Sequence, residues 1–290
     1  MFHWRIILGI DNNAARMLLL VCNIPNIDLQ NVLTLGHQKN YITPRLQRCI
    51  SRELGVPRAS LSNDYSDGFM NAIGVKNLQT LDISGYENAT ILHDLNAPIP
   101  DSLRNQFSLV VDIGTSEHVY NVTQSLENLR NLCKDQGHVL VVSPANNWLG
   151  HGFYQFSPEL FFRAFDREYG FEIHSLYLIK KRTFGESWYA LNDPKNVGRR
   201  GTIFTNKRCY IAVIASKSVS VTIVGSPQQS DYVSAWEGQE VSKLGSVYLR
   251  MPQFFRGILD RTVINIRMRI RNKLTPIRFR WHRGKYLPIQ

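Results

Sequence analysis

Short apolar runs alternate with longer amphipathic stretches along this sequence, and that alternation limits the fold more than any other feature. The apolar runs, such as NVLTL and FSLVVDI, are rich in β-branched residues and seldom alternate with polar ones. They predict buried strands at residues 31–35, 78–83, 89–93, 107–113, 137–143, 171–179 and 209–216. Helices are predicted at residues 44–54, 69–73, 123–133 and 157–168. The pattern indicates an α/β fold with a doubly wound, mostly parallel sheet.

The positive charge of the chain is concentrated at its end. The 290 residues carry 34 Lys and Arg against 23 Asp and Glu, a formal charge of +11. Residues 251–290 hold eight Arg and two Lys against one Asp, so the first 250 residues are nearly neutral. We therefore divide the chain into an N-terminal helical lead-in (1–30), a Rossmann-like domain (31–217) and a C-terminal extension (218–290).

The basic extension contains one helix-like segment. Its apolar side chains recur at steps of four, four, three and four, at Phe255, Leu259, Val263, Ile266 and Ile270. Such a basic amphipathic helix can dock on the body of the protein, lie on an anionic membrane surface or bind nucleic acid, and nucleic acid is the least favoured of the three. The sequence does not decide between them, and it says nothing of the oligomeric state.

Targeting and metal-binding patterns are weak. No apolar run approaches the ~20 residues that span a bilayer, and the N-terminus does not resemble a signal peptide. We therefore expect a cytoplasmic protein, with peripheral attachment to the inner face of the membrane as one option. Four isolated cysteines, without a CxxC pair or a nearby histidine, predict neither a disulfide framework nor a metal site.

Polar residues follow the predicted strands, where ligands bind in sheets of this kind. The first strand ends at Gly36 and the second at Asp82. Asp94-Leu95-Asn96 follows the third, and DIGTSEH closes the fourth, from Asp112 to His118. A glycine lets a ligand approach the backbone, and a carboxylate can accept both hydroxyls of a ribose. This arrangement is typical of a site for a nucleoside-containing cofactor.

These motifs together resemble the class I S-adenosylmethionine-dependent methyltransferases, in particular the small-molecule type with Glu-His after the fourth strand. The most specific part is the block from FSLVVDIGTSEHV to GHVLVVSPANN, and the resemblance covers residues 31–216. It implies a class I methyltransferase fold, S-adenosylmethionine as cofactor, and methyl transfer to a small-molecule, glycan or lipid-linked acceptor, with oxygen as the expected atom.

The resemblance also implies roles for individual residues. Gly36 would face the methionine part of the cofactor and Asp82 would hold the ribose hydroxyls. Asp94 and Leu95 would contact the adenine, while Asp112 and Gly114 would line the floor beneath the methyl group. His118, with Glu117 beside it, is the expected catalytic base. From their place after the fifth strand, and not from the resemblance, His151, Tyr154, Asn146 and Asn147 are the expected acceptor-binding residues.

Several of these positions have a purely structural alternative. Asn146 and Asn147 can be turn residues, and the segment GHGFYQFS can be either a mobile lid or a packed loop with Phe153 and Phe156 in the core. The first-strand motif also departs from the family, with one glycine and no acid in TLGHQ. The alternative functions are therefore a catalytically impaired binding or scaffold protein, or an RNA methyltransferase that uses the basic tail.

Overall fold

A computed structural model of the chain describes residues 9–182, 185–197, 205–218 and 225–236, and the backbone of two strands at 278–282 and 285–289. The strands are β1 (Asn31–Leu35), β2 (Asn77–Asp82), β3 (Ile91–Leu92), β4 (Phe107–Ile113), β5 (Cys133–Asn146), β6 (Phe171–Lys181), β7 (Glu186–Ala190), β8 (Cys209–Lys217), β9 (Arg278–His282) and β10 (Lys285–Ile289). The helices are α1 (Asn12–Val21), α2 (Pro44–Leu54), α3 (Asp67–Ala72), α4 (Val122–Leu132), α5 (Pro158–Ala164), α6 (Pro194–Val197) and α7 (Ser230–Trp236).

Eight of the described strands form one sheet in the order β3-β2-β1-β4-β5-β8-β6-β7. The first five run parallel to one another, and β6 has the same direction because β8 pairs antiparallel with both β5 and β6. The order reverses between β1 and β4, which places the carboxyl ends of neighbouring strands around one crevice. The predicted doubly wound, mostly parallel, Rossmann-like sheet is confirmed.

The sheet separates two apolar cores. Along β4, Leu109 and Val111 face one core, with α1, α2 and α3, while Val110 faces the other, with α4 and α5. All seven residues of β4 are buried, so a continuous apolar run predicted its bounds correctly. The predicted bounds of β1 and α2 are also confirmed.

The N-terminal lead-in is part of the first core. Helix α1 begins after Asp11, whose side-chain carboxylate accepts hydrogen bonds from the backbone amides of Asn13 and Ala14. Its apolar side chains, including Met17 and Leu18, are fully buried against the sheet. The N-terminal end of the helix, with Asp11 and Asn13, lies near the carboxyl ends of β4 and β5.

Some boundaries differ from the prediction. The helix predicted at 157–168 ends at Ala164, because Asp166 caps a separate 3₁₀ turn, Arg167–Tyr169. Strand β5 is longer than predicted, and β7 was not predicted, since ESWYA carries polar residues within a long connection.

The predicted basic helix, from Phe255 to Ile270, lies outside the described residues, and the strands β9 and β10 pair antiparallel as a hairpin. Within the described residues, no helix is both long and apolar enough to cross a bilayer.

Candidate functional site

The carboxyl ends of β1, β2, β3 and β4 surround a cavity of about 440 Å³. This cofactor-site cavity is large enough for a nucleoside-sized ligand. Its lining includes five of the six residues that the resemblance assigned to the cofactor, Gly36, Asp82, Asp94, Leu95 and Gly114, and also His118. Residues more than 80 positions apart in sequence are thus brought together because parallel strands end at one edge.

Gly36 and Asp82 face each other across neighbouring strands. The Gly36 amide donates to the Leu81 carbonyl at 2.7 Å, which fixes Asp82 beside the turn. Gly36 has φ +74°, and a Cβ placed there would lie 3.8 Å from Oδ2 of Asp82 and 3.3 Å from Nε2 of Gln38. Oδ1 of Asp82 accepts from the Ser84 amide at 3.2 Å. The glycine therefore leaves open the space that Oδ2 of Asp82 faces.

The Asp94-Leu95-Asn96 turn forms another wall of the cavity. Oδ1 of Asp94 accepts hydrogen bonds from the backbone amide and side-chain amide of Asn96, at 2.9 and 2.8 Å. These bonds lower the pKa of the Asp94 carboxyl, which is therefore ionised at neutral pH. Leu95 is buried, and its carbonyl accepts from the side-chain amide of Asn128 at 3.1 Å. The turn is held in shape by bonds on both sides.

Residues directly after β1 also line the cavity, although the sequence prediction did not include them in the site. His37 lies between the Glu87 carbonyl, 2.6 Å from Nδ1, and the Asp67 carboxylate, 2.9 Å from Nε2. Nζ of Lys39 lies 3.0 Å from the Glu87 carboxylate. Their place directly after the first strand was a usable signal, but the sequence prediction assigned only Gly36 of this stretch to the site.

The cofactor-site cavity is acidic. Three carboxylates line it, those of Asp82, Glu87 and Asp94, against the single ammonium of Lys39. With neutral histidines the formal charge of the lining is therefore −2. Since Lys39 already pairs with Glu87, the remaining carboxylates favour a cationic ligand over a phosphorylated one.

Asp112 lies beneath the cavity and does not line it. Its side chain is fully buried, and Oδ1 accepts from the amides of Thr115 and Ser116 at 3.0 and 3.3 Å. Burial, and secondarily the nearby Glu117 carboxylate, raises the pKa of Asp112 to about 7. Within the described part of the chain, Oδ2 has no hydrogen-bond partner. Asp112 thus supports the turn that presents Gly114, and the expected direct contact of Asp112 with the cofactor is not seen in the lining.

Glu117, His118 and His151 form a compact group, which we name the Glu-His cluster. One ligand atom from each of the three lies within 4.8 Å of the others. Oε1 of Glu117 is 3.4 Å from Nε2 of His151, and the rings of His118 and His151 meet edge to face with centroids 5.0 Å apart. Partial burial lowers the pKa of His118, against the opposing effect of Glu117. His118 is therefore neutral at pH 7 and able to accept a proton.

The segment 150–157 packs on the Glu-His cluster. The Phe153 amide donates to the Glu117 carbonyl at 2.8 Å, and the Tyr154 amide donates to the same oxygen at 3.3 Å. Phe156 is buried, as the packed-loop alternative predicted, whereas Phe153 is 65% exposed. The Tyr154 hydroxyl donates to the Tyr120 carbonyl at 2.6 Å. These contacts hold His151 against Glu117.

A smaller cavity of about 30 Å³ adjoins the first on the other side of Gly114. Glu117 and His151 line it together with Trp148 and Tyr210, and the N-terminal residues Asp11 and Asn13 close it. Oδ1 of Asn13 is buried there, and none of the described residues hydrogen-bonds to it. The sequence prediction missed the N-terminal residues, although a helix-capping Asp11 before an apolar run was a usable signal.

Three of the predicted acceptor residues do not line either cavity. Asn146 and Asn147 are exposed, and the side-chain amide of Asn147 donates to the carbonyls of Thr205 and Lys207 at 2.9 and 2.8 Å. Asn147 has φ +59°, as asparagine tolerates in turns. Tyr154 is held by its bond to Tyr120. Of the four, only His151 lines a cavity and touches the cluster.

A comparison with protein-family models and with curated proteins finds no match. Solved structures with similar folds include the 1,6-didemethyltoxoflavin-N1-methyltransferase of Burkholderia thailandensis with bound 1,6-didemethyltoxoflavin and S-adenosylhomocysteine, 10% identical over 72% of this chain and 80% of that chain, with TM-score 0.38. The [4+2]-cyclase SpnF is 12% identical over 71% of this chain and 82% of its own chain, with TM-score 0.40. The MccD protein is 10% identical over 71% of this chain and 97% of its own chain, with TM-score 0.41. These are likenesses of fold alone, and one fold hosts many reactions.

Proposed function

We propose that this protein is an S-adenosylmethionine-dependent methyltransferase that acts on a small-molecule, glycan or lipid-linked acceptor at oxygen. The observation that carries the proposal is the convergence of Gly36, Asp82, Asp94, Leu95 and Gly114 on one cavity of about 440 Å³. His118 also lines this cavity, which shares Ile113 and Gly114 with the second, smaller cavity. A nucleoside site and a proton-accepting group therefore meet at one place.

The charge of the cavity fits this cofactor. S-adenosylmethionine carries a positive sulfonium centre and supplies an activated methyl group. The lining has a formal charge of −2, and Asp112 and Glu117 add buried carboxyl groups directly behind Gly114. Asp82 would bind the ribose hydroxyls through Oδ2, while Leu95 would provide an apolar contact for the adenine. A dinucleotide pyrophosphate would meet carboxylates instead of a glycine-rich helix N-terminus.

The residues around the acceptor position can align it and accept its proton. Methyl transfer is an in-line displacement, so approximation of the two reactants supplies much of the rate enhancement. His118 lines the cofactor-site cavity, and its lowered pKa keeps its imidazole neutral and basic. Oxygen is the acceptor atom that benefits most from such a base, because a hydroxyl must lose its proton during transfer.

Calorimetric titration with S-adenosylmethionine and S-adenosylhomocysteine tests the proposal. We expect wild type to bind both ligands and Asp82→Ala to bind both roughly 100-fold more weakly, since two charge-assisted hydrogen bonds are lost. Asp101→Ala is the matched control, because Asp101 is an exposed carboxylate that does not line the cavity and that, among the described residues, pairs with Arg104. Absence of binding by wild type would refute the proposed function.

A further inference from the structure

Two histidines and a carboxylate meet at the junction of the two cavities, although they come from different parts of the chain. Glu117 and His118 lie in the 3₁₀ turn after β4, and His151 lies in the segment that follows β5. Their three ligand atoms lie within 4.8 Å of one another. A set of two imidazoles and one carboxylate is a common ligand set for divalent first-row transition metals.

The distance between the side chains of Glu117 and His151 suits coordination of a shared ion better than a direct hydrogen bond. Oε1 of Glu117 and Nε2 of His151 are 3.4 Å apart, which is long for a bond between a buried carboxylate and an imidazole. Two ligands held at about 2.0–2.2 Å by one tetrahedral ion stand roughly 3.3–3.6 Å apart. His118 is exposed, so its ring can turn to complete the set.

Glu117 is a buried carboxyl group with few polar partners. The side chain is only 1% exposed, and in the described part of the chain its carboxylate contacts Ser143 at 3.5 Å and His151, with no lysine or arginine paired to it. Asp112, also fully buried, has one carboxylate oxygen without a partner. Buried charges in proteins are paired or coordinate metals.

The Glu-His cluster lies where it can hold an oxygen of the acceptor molecule. His118 lines the cofactor-site cavity, and Glu117 and His151 line the smaller one, whose volume of about 30 Å³ is that of roughly one water molecule. Three protein ligands leave at least one coordination position open toward that space. An oxygen of the acceptor can occupy it, next to the methyl group of a bound cofactor.

We propose that Glu117, His118 and His151 bind a divalent first-row transition-metal ion, of the class of Zn²⁺, that holds the acceptor oxygen. The metal site is inferred from these side chains alone, whereas its role in holding the acceptor rests on the proposed function. Bound to the ion, the acceptor hydroxyl releases its proton to solvent more readily. Its oxygen then bonds to the methyl carbon, and the electron pair of the carbon–sulfur bond stays on sulfur. His118 is in this case a ligand, and no protein base is needed.

Titration of the untagged full-length chain with ZnCl₂, after treatment with EDTA, tests the site. We expect one tightly bound Zn²⁺ per chain by calorimetry and elemental analysis, and an affinity at least roughly 100-fold lower in His118→Ala and in His151→Ala. His174→Ala is the control and should retain wild-type affinity, since His174 is exposed on β6 and remote from the cluster. His118→Ala changes an exposed side chain, so its fold should persist.

Titration of the same samples with S-adenosylhomocysteine separates the two proposals. Loss of Zn²⁺ binding in His151→Ala with unchanged S-adenosylhomocysteine affinity would support the metal site and show that the variant is folded, since His151 lines only the smaller cavity. If wild type binds S-adenosylhomocysteine but no metal, the metal site is refuted and the proposed function stands. If it binds Zn²⁺ but no S-adenosylhomocysteine, the proposed function fails and the metal site remains. Zn²⁺ binding by His118→Ala and His151→Ala equal to that of wild type would also refute the metal site.

Discussion

Two glycines that flank His151 offer a matched pair of substitutions at the candidate site. Gly150 has φ +82° and Gly152 has φ +67°, so an alanine at either position would adopt a left-handed conformation. A Cβ at Gly150 would meet nothing within 4 Å, whereas a Cβ at Gly152 would lie 2.8 Å from the Glu117 carbonyl oxygen and 3.2 Å from its carbonyl carbon. Gly152→Ala therefore adds a collision with backbone that Gly150→Ala lacks.

The magnitude follows from these contacts. The left-handed conformation costs about 1–2 kcal/mol for a non-glycine residue, equally in both variants. In Gly152→Ala the segment must also move away from Glu117, whose carbonyl accepts from the amides of Phe153 and Tyr154. Loss or lengthening of these two bonds adds about 1–2 kcal/mol. We expect Gly152→Ala to unfold roughly 4 °C below Gly150→Ala, since about 1.5 kcal/mol separates them.

Thermal unfolding and Zn²⁺ titration of both variants form the assay. Gly152→Ala should also bind Zn²⁺ at least roughly tenfold more weakly than Gly150→Ala, because the movement separates His151 from Glu117. Equal unfolding temperatures for the two variants would show that the segment does not pack on Glu117 as described. His151 would then not be held against Glu117.

Two further predictions concern stability away from the site. Burial, with His174 as a second cause, lowers the pKa of His138 to about 4, so the unfolded chain takes up a proton first as pH falls from about 6.5. Between pH 7 and pH 4, the free energy of unfolding in urea should fall by about 2 kcal/mol more for wild type than for His138→Phe. An equal fall in the two proteins would contradict this prediction. Arg163, which is 10% exposed, pairs with Glu159, Asp166 and Asp193. Arg163→Met should cost about 3–5 kcal/mol in the same assay, because three carboxylates lose their partner, and a loss below 1 kcal/mol would argue against a buried network.

The sheet could be predicted where burial makes strands apolar on both faces. The bounds of β1 and β4 followed directly from such runs, and helices α2 and α3 lie between β1 and β2, where two helices were predicted. Strand β7 could not be predicted in this way. It lies at the edge of the sheet and pairs only with β6 among the described strands. An edge strand need not be a continuous apolar run.

The candidate site was predictable only as far as strand order determines it. Gly36, Asp82 and Gly114 meet because the strands that carry them are neighbours. The contact between Glu117 and His151 depends instead on how the segment 150–157 returns onto the turn after β4. The two residues are 34 positions apart, which is not a ligand spacing that a sequence motif describes, so the sequence predicted no metal site here.

The charge of the whole chain and the charge of its site have opposite signs, and only the second bears on the chemistry. The chain carries a formal +11, most of it in residues 251–290. The cofactor-site cavity has a formal charge of −2, and Asp112 and Glu117 lie buried behind it. Because burial weakens solvent screening, these few carboxylates act strongly on a ligand bound beside them. The site should therefore select cations, a sulfonium in one cavity and a metal ion beside it, whatever the net charge of the protein.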